Sequence, residues 1–320
     1  MNDKINKHLD ELFAEYTDSA SNELKAELLA NLSEYAEDLK AQGLNEEEVF
    51  EKTIDSIGEL EEMLGELEMQ SGSARRKILM NLSASNLAGT DFKNVEVEGN
   101  FKASIIKGAN FANADVAGSS FKASDMHDAS FENANASHVN FGVTVLTDAN
   151  FRNANVSESN FKASDLRSAN FEHANATGAN FKTTGLADVN FSNARLNGAE
   201  LSYSDLRDVI FTGADLTDTK LNKADIRGAS FKACVLVGTE MTSSDLRDTN
   251  FEGLELVAVK FDKSHLADSS FRNATLRGVS FRLIKRKSIE KADFTGAKMD
   301  QLSYLSLKST GANIDGITVI

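Results

Sequence analysis

Residues 101–140 read FKASIIKGAN FANADVAGSS FKASDMHDAS FENANASHVN, with an apolar residue at every fifth position. The recurrence runs without exception from Phe101 to Phe281, through 37 consecutive positions. The residue two places before each apolar centre is Ala, Ser, Thr or Val in 34 of the 37 quintets. A period of five fits neither the helix nor the strand, so the backbone must regain its orientation every five residues. The pattern predicts a solenoid whose units bury their apolar faces by stacking on one another.

The quintets around Ala109-Asn110-Phe111, Ala149-Asn150-Phe151 and Ala169-Asn170-Phe171 resemble the pentapeptide-repeat family, whose pattern is close to Ala-Asp/Asn-Leu-x-x. The resemblance covers roughly residues 81–320. It implies a mainly β fold, a right-handed quadrilateral β-helix with four quintets in each coil. At twenty residues per coil, the repeats would form about 12 coils. Every second apolar centre is Phe at 16 of 19 positions, so we expect Phe columns on two opposite walls.

Residues 1–74 have a different pattern, which predicts an N-terminal α-helical bundle. Apolar residues at helical spacing indicate one helix from Ile5 to Tyr16 and a second that Gly43 ends. Asn45 followed by Glu48 predicts the capped start of a third helix. Part of this segment resembles the HAAS-type helical domains of bacterial signalling operons. Two compatible roles follow: a cap over the first coil, and a regulatory component of a signalling system. The predicted domains are therefore residues 1–74 and 75–320.

The charge of the chain is unevenly distributed. The net charge is −15, of which residues 1–80 carry −12 and residues 81–320 carry −3. A single cysteine excludes a disulfide framework, and Cys234 lies at a small inward position, which predicts a buried structural thiol. Without a signal core or a long apolar stretch, the sequence predicts a cytoplasmic protein with no transmembrane segment.

The sequence offers no arrangement typical of an enzyme. The five histidines lie on different walls or several coils apart, so they form neither a metal site nor a nucleophile–base pair within the solenoid. The 20 glycines are scattered and form no phosphate-binding loop. We therefore expect no catalytic residues, no metal and no cofactor.

One wall carries an ordered charge pattern, in which Asp precedes the apolar centre and Arg follows it. The pairs are Asp165 and Arg167, Asp205 and Arg207, Asp225 and Arg227, and Asp245 and Arg247, with Asp125 and His127 in the same pattern. A further acidic column follows at Asp128, Asp148, Asp188, Asp208, Asp248 and Asp268. Stacking would align these residues into acidic and basic stripes. Two interpretations remain open: ion pairing between coils that relieves like-charge stacking, and a docking surface for a protein with complementary stripes.

Two irregularities interrupt the period. One residue is missing between Phe92 and Phe101, and the spacing between Phe281 and Phe294 is 13. The second irregularity predicts a loop near residues 282–291, which contains Lys285, Arg286 and Lys287. This positive charge could serve either solubility or a partner.

These features favour a non-enzymatic protein-interaction scaffold with an unknown protein partner. The family also contains topoisomerase-protecting members thought to mimic DNA, so an inhibitor or protector of gyrase is the alternative. The −3 charge of residues 81–320 opposes it, because duplex DNA carries one charge per ~1.7 Å. Direct binding of nucleic acid is not expected. The apolar terminus Ile314–Ile320 would leave an uncovered edge, which favours a C-terminal homodimer unless Gly311 and Gly316 let the terminus fold over the last coil.

Overall fold

The computed structural model describes residues 2–12, 19–55 and 77–320. They fall into two compact units, Met1–Asn150 and Phe151–Ile320, and each unit is described by itself. Three parts of the sequence prediction lie outside the described residues. They are the domain boundary between residues 74 and 75, the end of the predicted third helix, and Phe13 and Tyr16 of the predicted first helix.

The first unit begins with three helices, α1 (Asn2–Leu12), α2 (Ser19–Ala41) and α3 (Glu46–Asp55). They bury a small common core of Ile5, Leu9, Leu32, Ala36, Leu39 and Val49. The turn after α2 contains Gly43 at φ +90°, as the glycine at this place in the sequence predicts. Asn45 Oδ1 accepts from the N–H groups of Glu47 and Glu48 at 3.0 Å, and Glu48 Oε2 accepts from Asn45 N–H at 3.1 Å. The predicted cap of α3 is therefore confirmed.

The rest of the first unit consists of stacked quintets that contain the strands β1 (Lys77–Asn81) and β2 (Glu96–Asn100). β1 pairs with β2 in parallel, with Lys77 opposite Glu96, a shift of nineteen residues. Asn86 likewise bridges Ile105, whereas from Asn100, which bridges Ser120, the shift becomes twenty residues. The residue missing from the sequence pattern thus shortens one coil, as predicted.

The second unit is built in the same way, with parallel bridges between residues twenty apart except from Ser270 to Asp293. Its strands are β3 (Leu236–Val237), β4 (Glu255–Val257), β5 (Thr275–Arg277), β6 (Lys298–Met299) and β7 (Thr318–Val319), which pair in that order in one parallel sheet. Helix α4 (Gln301–Lys308), which the sequence analysis did not predict, lies between β6 and β7. Asp300 caps it by accepting from Ser303 N–H at 2.7 Å.

Stacked rings fill the core of each unit. In the second unit, Phe rings twenty residues apart from Phe151 to Phe271 form one column, completed by Phe294, with centroids 4.6–5.7 Å apart. In the first unit, Phe92, Phe111 and Phe131 stack in the same way at 4.7 and 4.8 Å. These rings are buried, so the predicted Phe column is confirmed within each unit.

The small inward residues complete the core, and their hydroxyl groups are satisfied across coils. Ser124 Oγ donates to Phe101 C=O at 2.6 Å, and Thr184 Oγ1 donates to Phe161 C=O at 2.9 Å. Because the acceptor is supplied by the preceding coil, Ser and Thr can replace Ala without an unpaired polar group. Cys234 Sγ makes the same contact with Phe211 C=O at 2.8 Å, and burial raises its pKa to about 12. The cysteine is therefore buried, as predicted.

From Phe101 to Phe281, each quintet turns outward through a residue of positive φ, two places after the apolar centre. Among the described residues, thirty that are not glycine have this conformation. In the turn from Ile106 to Ala109, for example, Ala109 N–H donates to Ile106 C=O at 3.3 Å and Gly108 has φ +61°. A positive φ at the third position of a turn favours Gly, Asn and Asp. The same preference accounts for the acidic column, since Asp128, Asp148, Asp188, Asp208, Asp248 and Asp268 all occupy this position.

Candidate functional site

Four Asp–Arg pairs form the surface that we call the Asp–Arg stripe: Asp165 with Arg167, Asp205 with Arg207, Asp225 with Arg227, and Asp245 with Arg247. In every pair the Arg Nε donates to Asp Oδ1 at 2.8–2.9 Å and Nη2 donates to Oδ2 at 2.6 Å. The same Oδ1 accepts from the Arg backbone N–H at 3.3–3.4 Å. The turn thus fixes the carboxylate, and the carboxylate orients the guanidinium.

Longer contacts join successive pairs. Arg207 Nε lies 3.9 Å from Asp225 Oδ2, and Arg227 Nε lies 3.6 Å from Asp245 Oδ2. Each Asp therefore has its strong partner within its own quintet, and Asp225 and Asp245 have a weaker one in the preceding coil. Ion pairing between coils, one of the two interpretations of the charge pattern, therefore accounts only for these longer contacts.

The pairing keeps both partners ionised. The hydrogen bond from Arg167 lowers the pKa of Asp165, and that from Arg207 lowers the pKa of Asp205. Burial would raise the pKa of Asp245, but the hydrogen bonds from Arg247 hold it below the usual value. The pKa of each arginine is raised by its Asp partner.

The stripe is continuous over three coils and interrupted elsewhere. The bridges run from Asp165 to Gly185, then to Asp205, Asp225, Asp245 and His265. Gly185 therefore separates the first pair from the other three. In the first unit, Asp125 makes the equivalent contact with His127 Nδ1 at 2.8 Å and a second with Lys107 Nζ at 3.3 Å.

The basic segment, Lys285, Arg286 and Lys287, lies at the end of this wall. Leu246 N–H donates to His265 C=O at 2.8 Å, and one coil later Leu266 N–H donates to Ser288 C=O at 2.7 Å. Ser288 thus takes the next position after Asp245 and His265, and the three basic residues directly precede it. The coil bridges Ser270 to Asp293, a shift of twenty-three residues, so three extra residues are accommodated here.

Buried contacts hold this segment in place. A 3-10 helix spans Arg286–Ser288, and Ile284 and Ile289 are buried while the three basic side chains are exposed. The carboxylate of Asp262, itself 7% exposed, accepts from Arg282 N–H at 2.8 Å and from Arg282 Nε at 2.9 Å. The structure therefore brings the predicted stripe and the predicted basic residues to one wall, which the sequence spacing could not show.

A second cluster, on the wall before the stripe, was not predicted. Tyr203 lies between two lysines that are one coil away on either side, Lys182 and Lys223. The only signal in the sequence is a bulky aromatic residue at the turn position that Gly, Asn and Asp usually occupy.

The described residues contain neither a candidate metal-binding group nor a helix able to span a membrane. Residues 2–12, 19–55 and 77–320 hold no group of three or more His, Cys, Asp or Glu side chains placed to bind a metal ion. Within the same ranges, every helix is too short or too polar to cross a bilayer.

Comparison with known proteins assigns the chain to a family whose fold agrees with the parallel stacking of the coils. The family described as "Pentapeptide repeat region" matches residues 104–181, 145–213 and 204–281, which together span more than half of the chain. The chain therefore belongs to the pentapeptide repeat family. Membership implies a right-handed β-helix, in agreement with the parallel register of one coil on the next. No curated protein matches the chain.

Several solved structures are similar to this chain. HetL, a pentapeptide repeat protein involved in heterocyst differentiation regulation from the cyanobacterium Nostoc sp. strain PCC 7120, is 18% identical over 66% of this chain and 90% of its own, with a TM-score of 0.47. Full-length QnrB1, a plasmid-mediated fluoroquinolone resistance protein, is 17% identical over 73% and 99%, with a TM-score of 0.26. Rfr23 from the cyanobacterium Cyanothece 51142 is 21% identical over 50% and 90%, with a TM-score of 0.13. Similarities at this level carry no argument about a partner.

Proposed function

We propose that this protein is a non-enzymatic, cytoplasmic interaction scaffold that docks a partner protein on the Asp–Arg stripe and the basic segment at its end. The observation that carries the proposal is the repeated bidentate geometry of the four pairs. Their side chains are held by the turns and by each other, so a partner would order few side chains on binding. Pre-organisation of this kind lowers the entropic cost of association.

The chemistry of the surface indicates what a partner must present. Each stripe arginine uses Nε and Nη2 for its Asp, and its Nη1 group donates to no acceptor among the described residues. The pairs are neutral as units, whereas Lys285, Arg286 and Lys287 are exposed without an ion-pair partner in the described part of the chain. A suitable partner therefore combines polar groups at the coil spacing with an acidic patch that meets the basic segment. Complementary charge would set its orientation.

A binding experiment with matched variants tests this proposal. Wild-type protein and the variant Arg207→Ala/Arg227→Ala/Arg247→Ala are used as baits in extract of the native cell, and captured proteins are quantified by mass spectrometry. Arg272→Ala is the control, because Arg272 makes an exposed pair with Asp293 at 2.9 Å outside the stripe. We expect a protein that wild type and control retain equally and that the triple variant loses. Equal retention of every captured protein by all three baits would refute the proposal.

The alternative, a gyrase inhibitor or protector that mimics DNA, is less well supported. Residues 81–320 carry a net charge of only −3, and the stripe adds a column of arginines to the surface. A polyanion mimic needs a dense negative surface, and a basic column would repel a DNA-binding site. A regulatory role of the N-terminal helices in bacterial signalling also stays a proposal, compatible with their capping the first coil.

We further propose that the protein forms a C-terminal homodimer. β7 is the last strand of its sheet and places the exposed side chains of Val319 and Ile320 at the end of the second unit. On the preceding helix α4, Leu302 is 74% exposed and Leu305 is 50% exposed. Exposed apolar side chains on neighbouring elements favour pairing of two identical surfaces around a twofold axis.

The finer shape of the solenoid is also a proposal. Each full turn of twenty residues contains four bridged quintets, which supports a quadrilateral cross-section. On this reading, residues 81–320 form about 12 coils.

A further inference from the structure

Tyr203 occupies a backbone position that is unfavourable for its side chain. Its φ is +63°, and the side chain is 48% exposed. Among the described residues, it is the only Phe or Tyr that is exposed rather than buried or half-buried. A bulky residue at positive φ is rare, and such conformations concentrate at functional sites. Exposed tyrosines are also enriched among the residues that contribute most to protein interfaces.

Two ammonium groups flank the ring. Lys223 Nζ lies 4.8 Å from the ring centroid and donates to Tyr203 Oη at 2.7 Å. Lys182 Nζ, from the preceding coil, lies 5.4 Å from the centroid. The hydrogen bond from Lys223 lowers the pKa of Tyr203. Neither ammonium lies within ion-pair distance of a carboxylate in the described part of the chain, so both positive charges are available to a ligand.

The acidic groups around the same depression are already engaged. Glu240 accepts from Lys260 Nζ at 2.8 Å and from Asn222 Nδ2 at 3.0 Å. Glu200 Oε1 accepts from Ser202 N–H at 3.0 Å. Their hydrogen bonds fix both carboxylates on the rim. Lys260 neutralises Glu240, whereas Glu200 offsets only one of the two ammonium charges, so the depression keeps a net positive charge.

The depression is open and has a volume of about 360 Å³. Besides the residues above, Thr242 and Ser243 line it and add hydroxyl groups. This size lies at the lower end of the range for ligand sites in proteins, and it suits one or two side chains of a peptide.

We propose that this depression, the Tyr203 pocket, binds a carboxylate side chain from an acidic peptide segment of a partner protein. The carboxylate accepts from Lys182 Nζ and Lys223 Nζ, and the phenol of Tyr203 provides a third donor once Lys223 turns to the ligand. The inference goes beyond the proposed function, because it assigns a separate site with its own ligand chemistry. Its variants leave every residue of the Asp–Arg stripe intact, so the two proposals can fail separately.

The chain contains a built-in reporter for this test. It has four tyrosines and no tryptophan, so intrinsic fluorescence reports on tyrosine alone. Full-length protein is titrated with the peptide acetyl-(Glu)₆-amide, and binding is followed by tyrosine fluorescence and calorimetry. Acetyl-(Gln)₆-amide, which lacks the carboxylates, is the ligand control.

Three variants sharpen the test. Lys182→Gln/Lys223→Gln removes both charges and should weaken binding of the Glu peptide at least tenfold. Tyr203→Phe keeps the ring but removes the phenol, and should weaken binding less. Lys232→Gln is the control, because Lys232 lies on another wall and follows its apolar centre by one residue, as Lys182 does. This variant should leave the affinity unchanged. The proposal is overturned if the wild type does not bind the Glu peptide, if the Gln peptide binds equally well, or if a double variant with an unchanged circular dichroism spectrum retains full affinity.

Discussion

Truncating one ring of the Phe column should destabilise the second unit strongly. Phe171 is fully buried and stacks on Phe151 at 4.6 Å and on Phe191 at 5.0 Å. Its edge also meets Phe161 and Phe181, each at 5.8 Å between centroids. Because neighbours on both sides are fixed by their own stacks, the cavity left by Phe171→Ala cannot collapse. We expect a loss of about 3–5 kcal/mol in the free energy of unfolding, the usual cost of such a truncation.

Urea unfolding followed by circular dichroism measures this loss, with Phe171→Leu as the matched control. The chain itself places Leu201 and Leu221 at equivalent positions of the other Phe column, so leucine is compatible with the coil. The leucine variant should therefore lose much less than the alanine variant. If both variants unfolded at the wild-type midpoint, the stacked column would not be the main source of stability and the reasoning would fail.

Three further outcomes are expected. Leu302→Glu/Leu305→Glu should convert a dimer to a species of 34.7 kDa in light scattering, and a monomeric wild type would exclude the C-terminal dimer. Because the pKa values of Asp205 and Asp245 are lowered in the folded state, pairing in the stripe stabilises the fold above the unfolded pKa, near 4, and this stabilisation is lost as pH falls through the folded values. The difference in unfolding free energy between wild type and Arg207→Gln/Arg247→Gln should therefore shrink in acid. A difference that stays constant with pH would contradict this expectation. The purified protein should neither inhibit supercoiling by gyrase nor rescue it from fluoroquinolones, and clear protection would revive the DNA-mimic alternative.

The fold could be predicted because its constraints repeat. An interior that accepts one large and one small side chain per quintet imposes the same demand at Phe111 and at Phe271, so many weak signals agree. The cap of α3 was predictable for a different reason, since the side chains of Asn45 and Glu48 each accept a hydrogen bond from the other residue's backbone N–H. In both cases the decisive contacts follow directly from sequence spacing.

The rest depended on contacts that spacing does not determine. The spacing of 13 between Phe281 and Phe294 shows that three residues are extra, but not which three. The hydrogen bond from Leu266 to Ser288 resolves this, and it places the basic segment on the wall of the stripe. Helix α4 was not predicted because its sequence lacks a clear helical period. Its start depends on one hydrogen-bonded cap at Asp300. The Tyr203 pocket needs side chains from four successive coils.

The residues at the turn position support the two proposed binding surfaces. In the part of the chain that the structure describes, thirty non-glycine residues adopt positive φ there, and only three of them are large and apolar: Val143, Tyr203 and Leu283. A large apolar side chain at this position gains little, because it points away from the core and the backbone conformation is unfavourable. Yet Tyr203 lies between two lysines, and Leu283, which is 76% exposed, lies next to the basic segment. Two of the three exceptions therefore coincide with the clusters of positive charge that we assign to partners. An apolar side chain beside unpaired cations suits a partner that presents both acidic and apolar groups. Folding alone gives no reason for these two residues, whereas the proposed binding surfaces would.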